Sequence, residues 1–96
     1  MITPTVGRKV WYRPAGFDLG AEMMIAHDGK PLDATVVAVN GSGTVNLSVF
    51  DSVARHFVRL DIPLVQDGEA PPDGAYAEWM PYQNGQAKKE KPTDLL

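Results

Sequence analysis

Apolar and polar positions alternate most clearly between Asp33 and Ile62, DATVVAVNGSGTVNLSVFDSVARHFVRLDI. Thr35, Val37 and Val39 alternate with Ala34, Val36 and Ala38. Val45, Leu47 and Val49 alternate with Thr44, Asn46 and Ser48. Val58, Leu60 and Ile62 alternate with Phe57, Arg59 and Asp61. A period of two buries one face of a strand and wets the other. The stretch therefore predicts a three-stranded meander, with Val58, Leu60 and Ile62 sharing one face of its last strand. The first turn, Asn40-Gly41-Ser42-Gly43, has residues that tolerate positive φ, as tight hairpins demand. The second, Asp51-Ser52-Val53-Ala54, fits a type I turn or a longer hairpin loop.

The flanks supply two more strands. Val6 to Arg13 (VGRKVWYR) places Val10 and Tyr12 on one face and Lys9, Trp11 and Arg13 on the other, so one of the two aromatics belongs to the core. Pro14 ends this run, having no N–H for a ladder. Met1 to Pro4 is a leader expected to fray or to lie along the barrel edge. Pro14 to Pro31 is broken by Gly16, Gly20 and Gly29. Within it, Ala21 to His27 has the composition for about two helical turns, with Asp18 as N-cap, and a flexible loop is the alternative. Met23, Met24 and Ile25 would then cover one barrel end. Gln66 to Gly74 is an acidic loop rich in Pro and Gly, and Ala75 to Pro81 is the closing strand, with Tyr76, Glu78 and Met80 alternating against Ala77 and Trp79. The fold class expected is all-β: a small five-stranded SH3-like antiparallel barrel with a long irregular loop after the first strand. An OB-like barrel would want a longer helix between its third and fourth strands. Residues 1–83 form the single domain, and 84–96 a polar C-terminal tail, disordered or a short helix from Gln86 to Lys91.

Composition narrows the function classes. Ninety-six residues bound one domain and one small core. A net charge of −3 disfavours bulk nucleic-acid binding, which needs clustered Lys and Arg. With no Cys, disulfides, thiolate metal sites and Cys nucleophiles are excluded. No run has the shape of a signal peptide or a membrane span, so a cytoplasmic protein with no membrane partner is expected.

Candidate chemistry is sparse. His27, Asp28 and His56 are the only His/carboxylate grouping, at a spacing that matches no metal-ligand pattern. Ser42, Ser48 and Ser52 lack a nucleophile-elbow context, and the Gly41/Gly43 pair lacks the residues of a phosphate-binding loop. No catalysis, metal or cofactor is expected. The aromatic and basic residues offer more. Arg8, Lys9, Trp11 and Arg13 lie in the first strand, and Tyr76, Trp79 and Tyr82 lie in or beside the last. If these strands are neighbours, rings able to stack on bases and cations able to bind phosphate meet on one surface. The alternative is that Trp11 or Tyr12 and Trp79 fill the core while Arg8, Lys9 and Arg13 are solvated. Arg55 and Arg59 would extend the basic strip.

The segments PTVGRKVWYRP, DATVVAVNGSGTVNLSVFD and AEWMPYQ together resemble a family of small phage and prophage proteins, over roughly Pro4 to Gln83. Trp11 stands where many relatives have His, and the insert Pro14–Pro31 is shorter than theirs. The resemblance implies a phage-encoded protein acting in the host cytoplasm. It carries no agreed activity and leaves two classes open, the first a counter-defence sponge that sequesters host nucleotide immune signals, of the cyclic dinucleotide or cyclic ADP-ribose type, in a homo-oligomer that encloses the ligand. The other class left open is a virion accessory protein or adaptor that binds a host or phage protein through the exposed meander face.

Overall fold

The computed structural model describes residues 1–25 and 29–89. Five strands close into a barrel: β1 (Lys9–Arg13), β2 (Leu32–Val39), β3 (Thr44–Phe50), β4 (His56–Val65) and β5 (Tyr76–Glu78). The helix α1 (Gly16–Gly20) follows β1, and α2 (Pro81–Lys89) follows β5. The expected five-stranded barrel is thus present. Four of its seams are antiparallel, and the fifth, β4 with β5, is parallel. Parity requires this. Direction reverses at every antiparallel seam, and an odd ring cannot close by reversals alone. Residues 66–75 make the return that lets β5 run beside β4 in the same sense. No helix among the described residues is long and apolar enough to cross a membrane.

The interior follows the alternation in β1, β3 and β5, and in β2 as far as Val36, where an extra residue shifts its register against β3. Val10 and Tyr12 of β1, Leu32, Ala34 and Val36 of β2, Val45, Leu47 and Val49 of β3, and Ala77 of β5 are all buried. Trp79 joins them directly after β5. Of the aromatics in the first strand, Tyr12 is therefore the core residue. The loop after β2 resolves into a three-residue hairpin. The Asn40 N–H donates to the Thr44 carbonyl at 2.9 Å, and Gly43 takes the left-handed conformation at φ 82° that ends such loops.

The β4 strand corrects the expected phase. Val58 and Leu60 are 60% and 63% exposed, and only Ile62 of the expected apolar face is buried. The register explains the change. Leu47 pairs with Arg59, whereas Val45 pairs with Ile62, so β4 carries one extra residue in a bulge where Asp61 adopts φ 53°. A bulge of this kind reverses the facing of everything beyond it. Phe57 and Arg59 consequently share the inward side with Leu47 and Val49.

Two further boundaries differ from expectation. The helix after β1 occupies Gly16–Gly20, and Ala21–Ile25 is not helical. Asp18 is not the N-cap but the third helical residue. Its carboxylate is more useful there, as described below. Met23 does enter the core, while Met24 and Ile25 stay exposed. At the other end of the chain, α2 begins at Pro81, five positions before the expected Gln86. Proline suits the first helical position, and the Gln83 side chain accepts from the Met80 N–H at 2.7 Å, half of a capping box. The leader lies along the barrel. Gln66 holds it by donating to the Ile2 carbonyl at 3.0 Å and accepting from the Ile2 N–H at 3.1 Å.

Candidate functional site

The buried polar chemistry sits at the barrel end covered by α1. Asp18 is fully buried, and so is Tyr12. The Tyr12 hydroxyl donates to Asp18 Oδ2 at 2.7 Å, and the Ala15 N–H donates to the same oxygen at 2.9 Å. Arg59 Nε and Nη2 both reach Asp18 Oδ1, at 2.7 and 2.6 Å. The guanidinium carbon lies 5.3 Å from the Phe17 ring centroid and 5.4 Å from that of Phe57. Burial, reinforced by the Asp18 hydrogen bond and charge, pushes the Tyr12 phenol well above its ordinary range. Burial opposes the charge on Arg59, but Asp18 outweighs it and raises the guanidinium pKa. Each polar atom here is met, so this cluster locks the irregular segment to the barrel.

A second carboxylate performs the same task at the β3–β4 turn. Asp51 Oδ1 accepts from the N–H groups of Val53 and Arg55, at 3.1 and 2.8 Å. Its Oδ2 accepts from the Met24 N–H at 3.1 Å and from Arg55 Nε at 3.0 Å. Burial would raise this carboxyl, but these bonds prevail and hold its pKa down to about 2. Arg55 also reaches the Glu22 carbonyl.

Five of the seven expected ligand-binding residues line two surface hollows on either side of α2. β1 and β5 do pair, with Trp11 opposite Glu78 and Arg13 opposite Tyr76. The first hollow, of about 510 Å³, is lined by Ile2, Arg8, Tyr82, Gln83 and Gln86 among others. Gln83 Nε2 donates to the Lys9 carbonyl at 2.8 Å, which pins the start of α2 beside β1. Tyr82 is 72% exposed, and its hydroxyl accepts from Gln86 Nε2 at 2.9 Å. Arg8 is the only charged side chain lining this hollow among the described residues, and no described side chain pairs with it.

The second hollow, of about 520 Å³, is lined by Trp11, Arg13, Trp79, Pro81, Asn84 and Lys88, with Glu78 and Asp67 at its rim. Arg13 lies over Trp11 at 5.7 Å from its centroid and pairs with Glu78 at 2.6 Å. Lys88 pairs with Asp67 at 3.2 Å. The cations of this groove are therefore neutralised. Lys9 faces neither hollow and pairs with Asp33 at 3.1 Å. Tyr76 is half-buried opposite Arg13 and lines neither hollow. Trp79 is 3% exposed and belongs to the core, as the alternative arrangement had it.

The remaining candidates carry little. His27 and Asp28 lie outside the described residues. His56 Nε2 is 2.7 Å from Ser48 Oγ on the open outer wall, with its ring against Phe50. Among the described residues, no group of three His, Cys, Asp or Glu is placed to hold a metal. The residue that sequence reasoning misplaced most is Arg59, taken as part of a surface strip. Its partner Asp18 is 41 positions away, and only the bulge brings the two together. Comparison with family models, with curated protein sequences and with solved structures returns no match.

Proposed function

We propose that the protein is a non-enzymatic binder whose ligand is a small phosphorylated molecule with a flat ring, captured between Arg8 and Tyr82. That is the ligand class of a phage-encoded, homo-oligomeric sponge for host nucleotide immune signals. The observation that carries this is the charge of the hollow. Its described lining holds one guanidinium with no described partner beside a largely exposed aromatic ring, and no carboxylate. A guanidinium fork matches phosphate oxygens bidentately, and a tyrosine face stacks on a base. The neighbouring groove does not offer this, because Arg13 and Lys88 are each spent on an acid.

The test is a thermal-shift and calorimetric screen against cyclic dinucleotides, cyclic ADP-ribose and adenosine monophosphate. A saturable hit is expected. Arg8→Ala should weaken it about tenfold or more, roughly 1.4 kcal/mol, while leaving the melting temperature of the free protein unchanged. A chain that shifts with no nucleotide is not a sponge. The adaptor reading then takes its place, favoured by the apolar outer wall where Val37, Val58 and Leu60 are 49–63% exposed.

A further inference from the structure

We propose that the groove between α2 and the β1–β5 seam is a second ligand site, built for an uncharged planar heteroaromatic ring such as a nucleobase, with α2 as its movable wall. Both tryptophans of the chain line it. Indoles stack well on a flat π-face and tolerate many ring types. The Trp79 Nε1–H is buried and has no acceptor among the described residues. A buried donor left unmet is a standing penalty that an acceptor on a ligand relieves. Asn84 adds an amide whose donor and acceptor make no bond to the described residues, and a side-chain amide reads the paired donor and acceptor edge of a base. The ion pairs Arg13–Glu78 and Lys88–Asp67 close the two charges of the rim, so the groove selects neither anion nor cation.

The wall is suited to move. α2 has nine residues, none of them buried, with Asn84-Gly85 at its middle. A helix this short draws little stability from its own hydrogen bonds, and Gly weakens it further. Its anchors to the barrel are the Gln83 bond to the Lys9 carbonyl and the exposed Lys88–Asp67 pair. Trp79 Nε1 is buried, and Trp79 lines the groove beside Pro81, Asn84 and Lys88 of α2. A ring entering the groove reaches it as the helix swings outward on those two anchors. This site needs no contribution from Arg8 and takes a neutral ligand, so it goes beyond the function proposed above, and either reading can fail without the other.

Tryptophan fluorescence tests it selectively, because the Arg8 hollow contains no tryptophan. Adenosine, guanosine, cytidine and uridine, all uncharged, are titrated into the intact chain. Saturable quenching by at least one is expected, at the same affinity in Arg8→Ala. Gly85 lines the groove and a Cβ there meets no atom within 4 Å, so Gly85→Leu adds bulk to the groove wall at an open position. This variant should lose at least tenfold in nucleoside affinity while melting at the same or a higher temperature. Trp79→Phe, which keeps a ring and removes the N–H, should weaken binding with circular dichroism unchanged. No saturable quenching by any of the four nucleosides overturns the proposal, and so does a Gly85→Leu chain that binds as tightly as the parent.

Discussion

Two carboxylates carry a disproportionate share of the fold. Asp18 is fully buried, and its ion partner Arg59 is only 14% exposed at the side chain. Removing one member of such a pair leaves the other charge buried and uncompensated, which costs about 3–5 kcal/mol. Arg59→Ala should lower the urea midpoint accordingly. A loss below ~1 kcal/mol would show that water reaches Asp18 freely. Tyr12 adds a pH signature. Its folded pKa is raised above the ordinary 10.0, so its contribution is complete below that value and is lost as pH rises beyond it. One of the three tyrosines should therefore ionise only as the chain unfolds, followed by absorbance near ~295 nm in alkaline titration. Asp51 works in the opposite sense. Its folded pKa is about 2 against an ordinary 3.8, so its contribution is complete above 3.8 and is lost as pH falls towards 2. Asp51→Asn should flatten the fall in melting temperature across that acid window.

At the level of elements, the β3–β4 hairpin is strained at one position that sequence does not advertise. Ala54 takes φ 67° while its N–H donates to the Asp51 carbonyl at 2.9 Å. The left-handed region costs a residue with a Cβ about 1–2 kcal/mol, and glycine returns part of that in unfolded-state entropy. Ala54→Gly should thus stabilise by about 0.5–1 kcal/mol, a rise of several degrees in melting temperature for a domain this size. β1, β3, β5 and the first half of β2 were legible because each buries one face, and the alternation of Val, Leu and Ala records it directly; past Val36 an extra residue shifts β2 against β3. The bulge at Asp61 was not legible. An extra residue leaves the alternation of β4 intact on paper while inverting its facing, so Arg59 reads as outward and Val58 as inward. Helix α1 escaped for a related reason. Five residues with glycine at both ends carry no periodicity, and Asp18 earns its place through partners far along the chain. The candidate site was half legible. Strand pairing brought the expected residues near one another, but the burial of Trp79 and the ion pairs of Lys9 and Arg13 depend on side-chain partners that spacing alone does not name.

The whole molecule is a small barrel whose inner and outer walls are both apolar in places. Pairing places Thr35 beside Ser48 and Ser48 beside Val58, so β2, β3 and β4 present one continuous outer face. Val37, Val58 and Leu60 stand on it, 49%, 60% and 63% exposed. Contiguous apolar surface depleted of charge is the composition of an interface core. A closed ring has no free sheet edge, so any association through this face would proceed by side chains and not by strand addition. A stable dimer hides roughly 800 Å² per partner, about an eighth of the 5971 Å² that the protein exposes. Three aliphatic side chains fall short of that alone, so a pair formed here would have to enlist the flanking Thr35 and Ser48 rows and is expected to be weak, with dissociation in about the micromolar range. Light scattering across a dilution series should give a mass that falls towards the monomer. Leu60→Lys should yield monomer at every concentration with the fold intact, since the side chain it replaces is 63% exposed. If the parent chain is monomeric at the highest concentration, ligand enclosure between protomers is ruled out, and the Arg8–Tyr82 hollow must bind its ligand within a single chain.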